Sequence, residues 1–219
     1  MESSQSPNFT GLIDSIVDID GNTYNTIGIG SQIWTAENIR VTRLSDGTDL
    51  KLVTSNTEWR SIDPTPSYCY YDNDLKNKNT LGCLYNFYAV ETSLLCPDGW
   101  HVPSLYEWEI LINFLGGSKV AGGKLKDFYC NLWASPNYAF SNNLRFLAKP
   151  AGYRQASNGA YSNKGTTSSW WTSTAVDFNH THARSKRITN ENTEISSHYL
   201  NKIEGMSVRC IKNNNTTKR

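Results

Sequence analysis

Residues 96–108 read CPDGWHVPSLYEW, a cysteine, two prolines, a glycine, a tryptophan and a histidine set directly before a helix. The helix start is explicit. Ser104 and Glu107 stand at the S-x-x-E spacing of a capping box, in which the hydroxyl accepts from the Glu107 amide and the carboxylate reaches back. Leu105, Trp108, Leu111, Ile112 and Leu115 then share one helical stripe, and Gly116-Gly117 end it. The residues ahead of the cap serve no helix, so they read as a fixed lead-in whose purpose lies elsewhere in the chain.

Outward from there the pattern is of short strands and turns. SIVDIDGNTYNTIGIGSQIWTAENI (15–39) carries a D-G-N turn between alternating runs and predicts a β-hairpin, with Ile16, Val17 and Ile19 before the turn and Tyr24, Ile27 and Ile29 after it. Residues 45–80 hold few periodic segments and several Pro, Asn and Asp, and read as ordered loop. CLYNFYAVE (83–91) is a short aromatic helix candidate. After 121–128 the chain turns strand-like again through SWWTSTAV, HARSKRIT, TEISSHYL and GMSVRCIKN. No repeat with a period of 20–50 residues is visible. The expectation is a single α+β domain over 11–213, with a disordered N-terminal tail at 1–10 and a frayed C-terminus at 214–219.

Composition narrows the function classes. A net charge of +1 leaves no electrostatic footprint for nucleic acid. No apolar stretch approaches the roughly 18 residues of a membrane-spanning helix. Seven Trp, twelve Tyr and seven Phe suit both a strand-rich fold and a binding surface. The polar start MESSQSPNFT is no signal peptide, leaving a cytoplasmic protein or a secreted one without its leader. Cys69, Cys83, Cys96, Cys130 and Cys210 form no C-x-x-C pair, which weighs against structural zinc, and allow at most two disulfides.

Catalytic motifs are scarce. GIGSQI (28–33) lacks the third glycine and the following helix of a dinucleotide loop, and NKGTTSS (163–169) lacks the upstream glycine of a phosphate loop. His180 and His182, spaced i, i+2, with His198, are a weak metal candidate. YDNDLKNKN (71–79) gathers Asp72, Asn73, Asp74, Asn77 and Asn79, the oxygen ligands a calcium ion takes. Turn-forming side chains bonding their own backbone are the preferred reading of that loop, and no cofactor is expected.

YDND (71–74), LYNFYAV (84–90), CPDGWHVPSLYEWEIL (96–111), AKPAGYR (148–154), WWTST (170–174) and GMSVRCIKN (205–213) occur in this order. The ordered series resembles the Fibrobacter succinogenes major paralogous domain family over roughly residues 17–213. Departures are mild: Phe87 for a usual Trp, Lys149 in the A-x-P-A-G stretch, and Met206 for a usual aromatic. The resemblance implies a branch of the C-type lectin-like fold, with N- and C-terminal strands in one sheet, two helices and long irregular loops. It also implies that Trp100 packs beneath the first helix and that Cys96 bonds Cys210, two buried free thiols being the alternative.

Within that architecture binding is commoner than catalysis, and the resemblance places the ligand surface at 159–204. The expected ligand-binding residues are Trp170, Asp177, Asn179, His180, His182, Arg184, Lys186, Asn190, Asn192, Glu194, His198 and Tyr199, mixed aromatic and polar side chains of the kind paratopes use. One of the adjacent Trp170 and Trp171 is expected to face the core. Alternation along HTHARSKRIT is expected to put His180, His182, Arg184 and Lys186 on one face, with Ala183 and Ile188 framing the other. Proteins of this fold are targets of diversity-generating retroelements in bacteria and phage, and the Asn-rich 175–204 segment before a regular GMSVRC fits such a variable face. The functional expectation is a non-enzymatic extracellular or cell-surface module for a protein or glycan, without nucleic-acid partner or transmembrane segment. The alternative is a structural or adhesive surface component with no dedicated pocket.

Overall fold

A computed structural model describes residues 9–61, 63–140, 144–176 and 180–214. Three sheets and short helices make a mixed α+β domain. In the first sheet, β1 (Phe9–Val17), β2 (Thr23–Gly30) and β3 (Gln32–Thr35) run as an antiparallel meander. Asp18 shapes the first turn: its carboxylate accepts from the amides of Asp20 (2.9 Å) and Asn22 (2.8 Å) and from the Tyr24 hydroxyl (2.6 Å). β1 begins at Phe9, inside the segment expected to be a tail, because its residues pair with Gly30 and Ile29.

The middle of the chain is more structured than its sequence suggests. β4 (Lys51–Leu52), α1 (Asn56–Arg60), β5 (Ser67–Cys69), a 3-10 turn at Tyr71–Asn73 and α2 (Leu75–Leu81) occupy the expected loop, and β6 (Leu84–Tyr85) takes the start of the expected 83–91 helix. Strands of two or three residues and helices of one or two turns carry too little periodicity to declare themselves. The candidate helix at 83–91 is shorter, α3 (Phe87–Glu91), capped by the Asn86 side chain.

β7 (Trp100–His101) leads into α4 (Leu105–Phe114). The capping box is present: the Ser104 Oγ accepts from the Glu107 amide at 3.2 Å, and Glu107 Oε2 accepts from the Ser104 amide at 2.8 Å. Gly116 ends the helix at φ +97, a backbone conformation that suits glycine. Then α5 (Ser118–Leu125), absent from the sequence expectation, lies where Gly122 permits: a Cβ there would meet the Glu194 carbonyl oxygen at 2.4 Å. With α1, α2, α3 and α4 this makes five α-helices among the described residues, not two.

The second sheet is ordered β12-β11-β10-β8-β9, from β8 (Ala151–Arg154), β9 (Tyr161–Lys164), β10 (Thr167–Ala175), β11 (His182–Thr189) and β12 (Ile195–Asn201). β13 (Ile211–Lys212) returns to the first sheet between β3 and β7, so N- and C-terminal strands share one sheet. Both faces of β10 are packed. Trp170 joins Trp34, Trp108 and Phe146 under α4, while Trp171 joins Phe87 on the other side. Trp100 packs with the Trp171 cluster and not beneath α4, whose underside Trp34 already fills at 4.9 Å from Trp108.

Candidate functional site

The structure joins Cys96 to Cys210, tying the lead-in of α4 to the chain just before β13. Cys69 and Cys83 are buried free thiols, pushed up by burial to about 11 and about 12 respectively. Beside the disulfide, His101 Nε2 lies 2.7 Å from Glu107 Oε1 and Nδ1 lies 2.6 Å from Asn213 Oδ1. Both ring nitrogens face oxygen acceptors, so the geometry favours the imidazolium, and the Glu107 hydrogen bond raises the His101 pKa. Burial pushes Glu107 up, but its bonds from His101 and Ser104 outweigh this and hold it below its usual value. The Ser104 hydroxyl donates to Glu107 at 2.8 Å, so this trio is a clasp and contains no serine–histidine pair for nucleophilic attack.

The expected 159–204 surface divides in two. Register pairs Trp170 with Lys186, Arg184 with Tyr199, Lys186 with Ser197 and Ile188 with Ile195. Ile188 therefore shares a face with His182, Arg184 and Lys186, and only Ala183 turns away. This corrects the expected placement of Ile188. The inner half of that face is core, because α4 and α5 cover it: Trp170 is fully buried, and Ile188 and Ile195 pack with it. Trp170 spends its indole N–H on Asn38 Oδ1 at 2.9 Å and presents nothing to a ligand. Lys186 is buried too, donating to Glu109 of α4 and to the Ser197 hydroxyl at 2.8 Å.

Asn190, Asn192 and Glu194 lie at the inner turn, roughly 25 Å along β11 from His182 at the usual strand rise. Asn190 is buried, and its side chain donates to the Ala134 carbonyl at 3.3 Å. The Asn192 carbonyl accepts from the buried Lys126, and its side chain accepts from the Glu194 amide. His198 points to the opposite face, 2.8 Å from the Ser196 hydroxyl, with its pKa lowered by burial and then by Arg187. His182 and His198 thus do not converge as metal ligands. Asp177 and Asn179 lie outside the described residues, between β10 and the exposed His180.

At the outer end three expected residues do come together. The His182 ring stacks on Tyr199, centroids 4.5 Å apart and planes 16° from parallel. The Arg184 guanidinium lies 5.6 Å from the same Tyr199 ring. An α4 residue absent from the expected set reaches this strand: Glu109, on Lys186, with Tyr106, 74% exposed, one turn earlier on the helix. The Leu105 amide donates to the Thr174 hydroxyl at 2.9 Å, holding the start of α4 beside β10. Tyr106 and Glu109 sit three apart and off the apolar stripe, a spacing that marks them as one exposed face of α4.

In the acidic loop the side chains serve the local fold. Asp74 caps α2 through the Lys76 amide at 2.9 Å, Asn77 donates to the Tyr71 carbonyl at 2.8 Å, and Asp72 pairs with Lys164 at 3.5 Å. No three His, Cys, Asp or Glu side chains gather as a metal site among the described residues. No helix there is long and apolar enough to cross a membrane.

Fold and site together define a disulfide-tied α+β domain that displays an aromatic and basic strand end. The chain belongs to the Fibrobacter succinogenes major domain family, whose profile matches residues 27–212. No curated protein and no solved structure matches the chain.

Proposed function

We propose that this chain is a non-enzymatic binding module of a secreted or surface protein, built on a C-type lectin-like fold. Its ligand is a protein or glycan, taken at the outer end of β11 and β12. The observation that carries this reading is the His182–Tyr199–Arg184 stack, half-exposed aromatic and cationic area standing on a sheet whose inner end is core. Rings held by one another lose little side-chain freedom on binding, which is how paratopes gain affinity. The shared sheet of N- and C-terminal strands supports the lectin-like architecture. Retroelement diversification belongs to the same proposal, supported by an Asn-rich polar segment set around the buried Ala183, Ile188 and Ile195.

The test is to screen the protein against a glycan array and surface-protein ectodomains, then repeat any hit with His182→Ala, Arg184→Ala and Tyr199→Ala combined. The expected result is loss of the hit with the thermal unfolding profile retained. Undiminished binding by the triple variant overturns the site.

A further inference from the structure

We propose that a groove beside the C-terminal end of α2 binds an acidic oligosaccharide, a chain of sugars carrying carboxylates or sulfates. This site is separate from the β11–β12 end and stands or falls without it. Two adjoining hollows of about 30 and 220 Å³ share Thr80 and Leu81. Arg40, Lys149 and Arg209 line the smaller and Lys164 the larger. Glu37, the carboxylate among the lining residues, is committed to Asn25, accepting from its amide at 3.0 Å and its side chain at 2.8 Å.

Arg209 is the centre of the argument. It is 1% exposed, yet every acceptor it reaches is neutral: Asn38 Oδ1 at 2.7 Å and the carbonyls of Thr35, Phe146 and Leu147 at 2.8, 2.9 and 3.5 Å. No carboxylate lies within ion-pair distance of it among the described residues. Those bonds use four of its five N–H groups, and the second Nη2 hydrogen has no acceptor there. A buried guanidinium with no carboxylate in contact is expensive: Glu37 and Asp127 favour its charge from beyond ion-pair distance, and burial outweighs them, pushing its pKa down to about 9. An anion from solution supplies the missing charge-assisted bond.

The rest of the groove selects the kind of anion. Lys149 is half-buried beside Arg209, and Lys164 sits over Tyr71 with the exposed Asp72, at 3.5 Å, as its ionic partner among the described residues. Asn77, Asn79 and Thr80 lie between the cations, Asn77 and Thr80 also donating to the Tyr71 and Lys76 carbonyls, and Leu81, Leu132 and Pro150 form an apolar floor. Spaced anions, intervening hydroxyls and apolar C–H faces are what an acidic sugar chain presents. A nucleic acid would need stacking platforms, and no aromatic side chain lines either hollow among the described residues.

The experiment titrates the full chain at low ionic strength with short oligogalacturonate and with chondroitin sulfate oligosaccharide. Malto-oligosaccharide serves as the neutral control and single-stranded DNA as the competing polyanion. Acidic saccharides are expected to bind, more weakly as salt rises. The Lys149→Glu, Lys164→Glu double variant is expected to lose about tenfold or more in affinity, a difference of about 1.4 kcal/mol. Lys119→Glu on α5 is expected to leave affinity unchanged. Lys149→Gln, which removes one charge without adding another, repeats the loss at smaller size should the double variant misfold. Four results overturn the proposal: no acidic saccharide bound, equal binding of the neutral chain, affinity indifferent to both lysine variants, or DNA bound at least as tightly.

Discussion

The corner around His101 and the outer end of β11–β12 each bring a half-buried histidine toward the surface, held in opposite ways. At the corner, a disulfide, a capping box and charged hydrogen bonds from both ring nitrogens fix one geometry. At the strand end, His182 is set against Tyr199 by ring stacking, with Arg184 above the same ring. The difference separates scaffold from display. Changing the corner costs cross-links that hold the lead-in of α4 to the C-terminal strand, whereas changing the strand end costs exposed contacts of tenths of a kcal/mol.

The largest effect that would break this contrast is covalent. Cys96 and Cys210 lie 114 residues apart, and closing such a loop stabilises by roughly 4–5 kcal/mol on the chain-entropy argument. Replacing both by serine is expected to approach that loss in urea denaturation monitored by tryptophan fluorescence. A loss below about 1 kcal/mol would show that the corner is held by its hydrogen bonds and packing alone.

Lys186 and Glu109 mark the boundary between core and display, and sharpen the contrast. The lysine side chain is 2% exposed and the glutamate 46%. Removing the carboxylate strands a buried cation, whereas removing the lysine leaves Glu109 free to hydrate. Glu109→Gln is therefore expected to destabilise by about 1–2 kcal/mol, discounted from a fully buried pair for the water at Glu109. Lys186→Met is expected to cost less, since methionine fills similar volume without a charge. The reverse order would mean that Ser197 and the chain around it satisfy Lys186 unaided.

The same contrast governs what the sequence made legible. The α4 cap, its stripe and the D-G-N hairpin were readable because each is local: S-x-x-E spacing and alternation act within a few residues. The family's ordered motifs pointed to the Cys96–Cys210 link, which no local pattern carries. Residues 45–80 and α5 were illegible because their elements are one or two turns long and are fixed by distant contacts, such as Gly122 against Glu194. The strand surface was half legible. Alternation put His182, Arg184 and Lys186 on one face, but only the position of α4 decides that this face is buried at Lys186 and open at His182. Arg209 gave no signal at all, since nothing in GMSVRC distinguishes a buried guanidinium from a surface one.

The smallest predicted effect tests the corner through its proton. His101 has its pKa raised above 6.5, so its contribution to stability is full below pH 6.5 and is lost as pH rises through the folded value. Glu107 is shifted the other way, below 4.5, so its contribution is present above pH 4.5 and lost as pH falls through its folded value. The clasp is strongest between those limits and weakens toward alkaline pH. His198, lowered by burial, has the opposite slope, favouring stability as it deprotonates. The whole protein therefore mixes two signs, and the difference between wild type and His101→Gln isolates the clasp. That difference is expected to shrink from pH 6 to pH 8.5 and to stay under about 1 kcal/mol throughout, because the His101 side chain is 39% exposed. NMR titration of His101 is expected to give a midpoint above 6.5. A midpoint below it, or a stability difference that does not change with pH, would show that Asn213 and Glu107 hold a neutral ring. The corner would then owe its rigidity to the disulfide and the capping box.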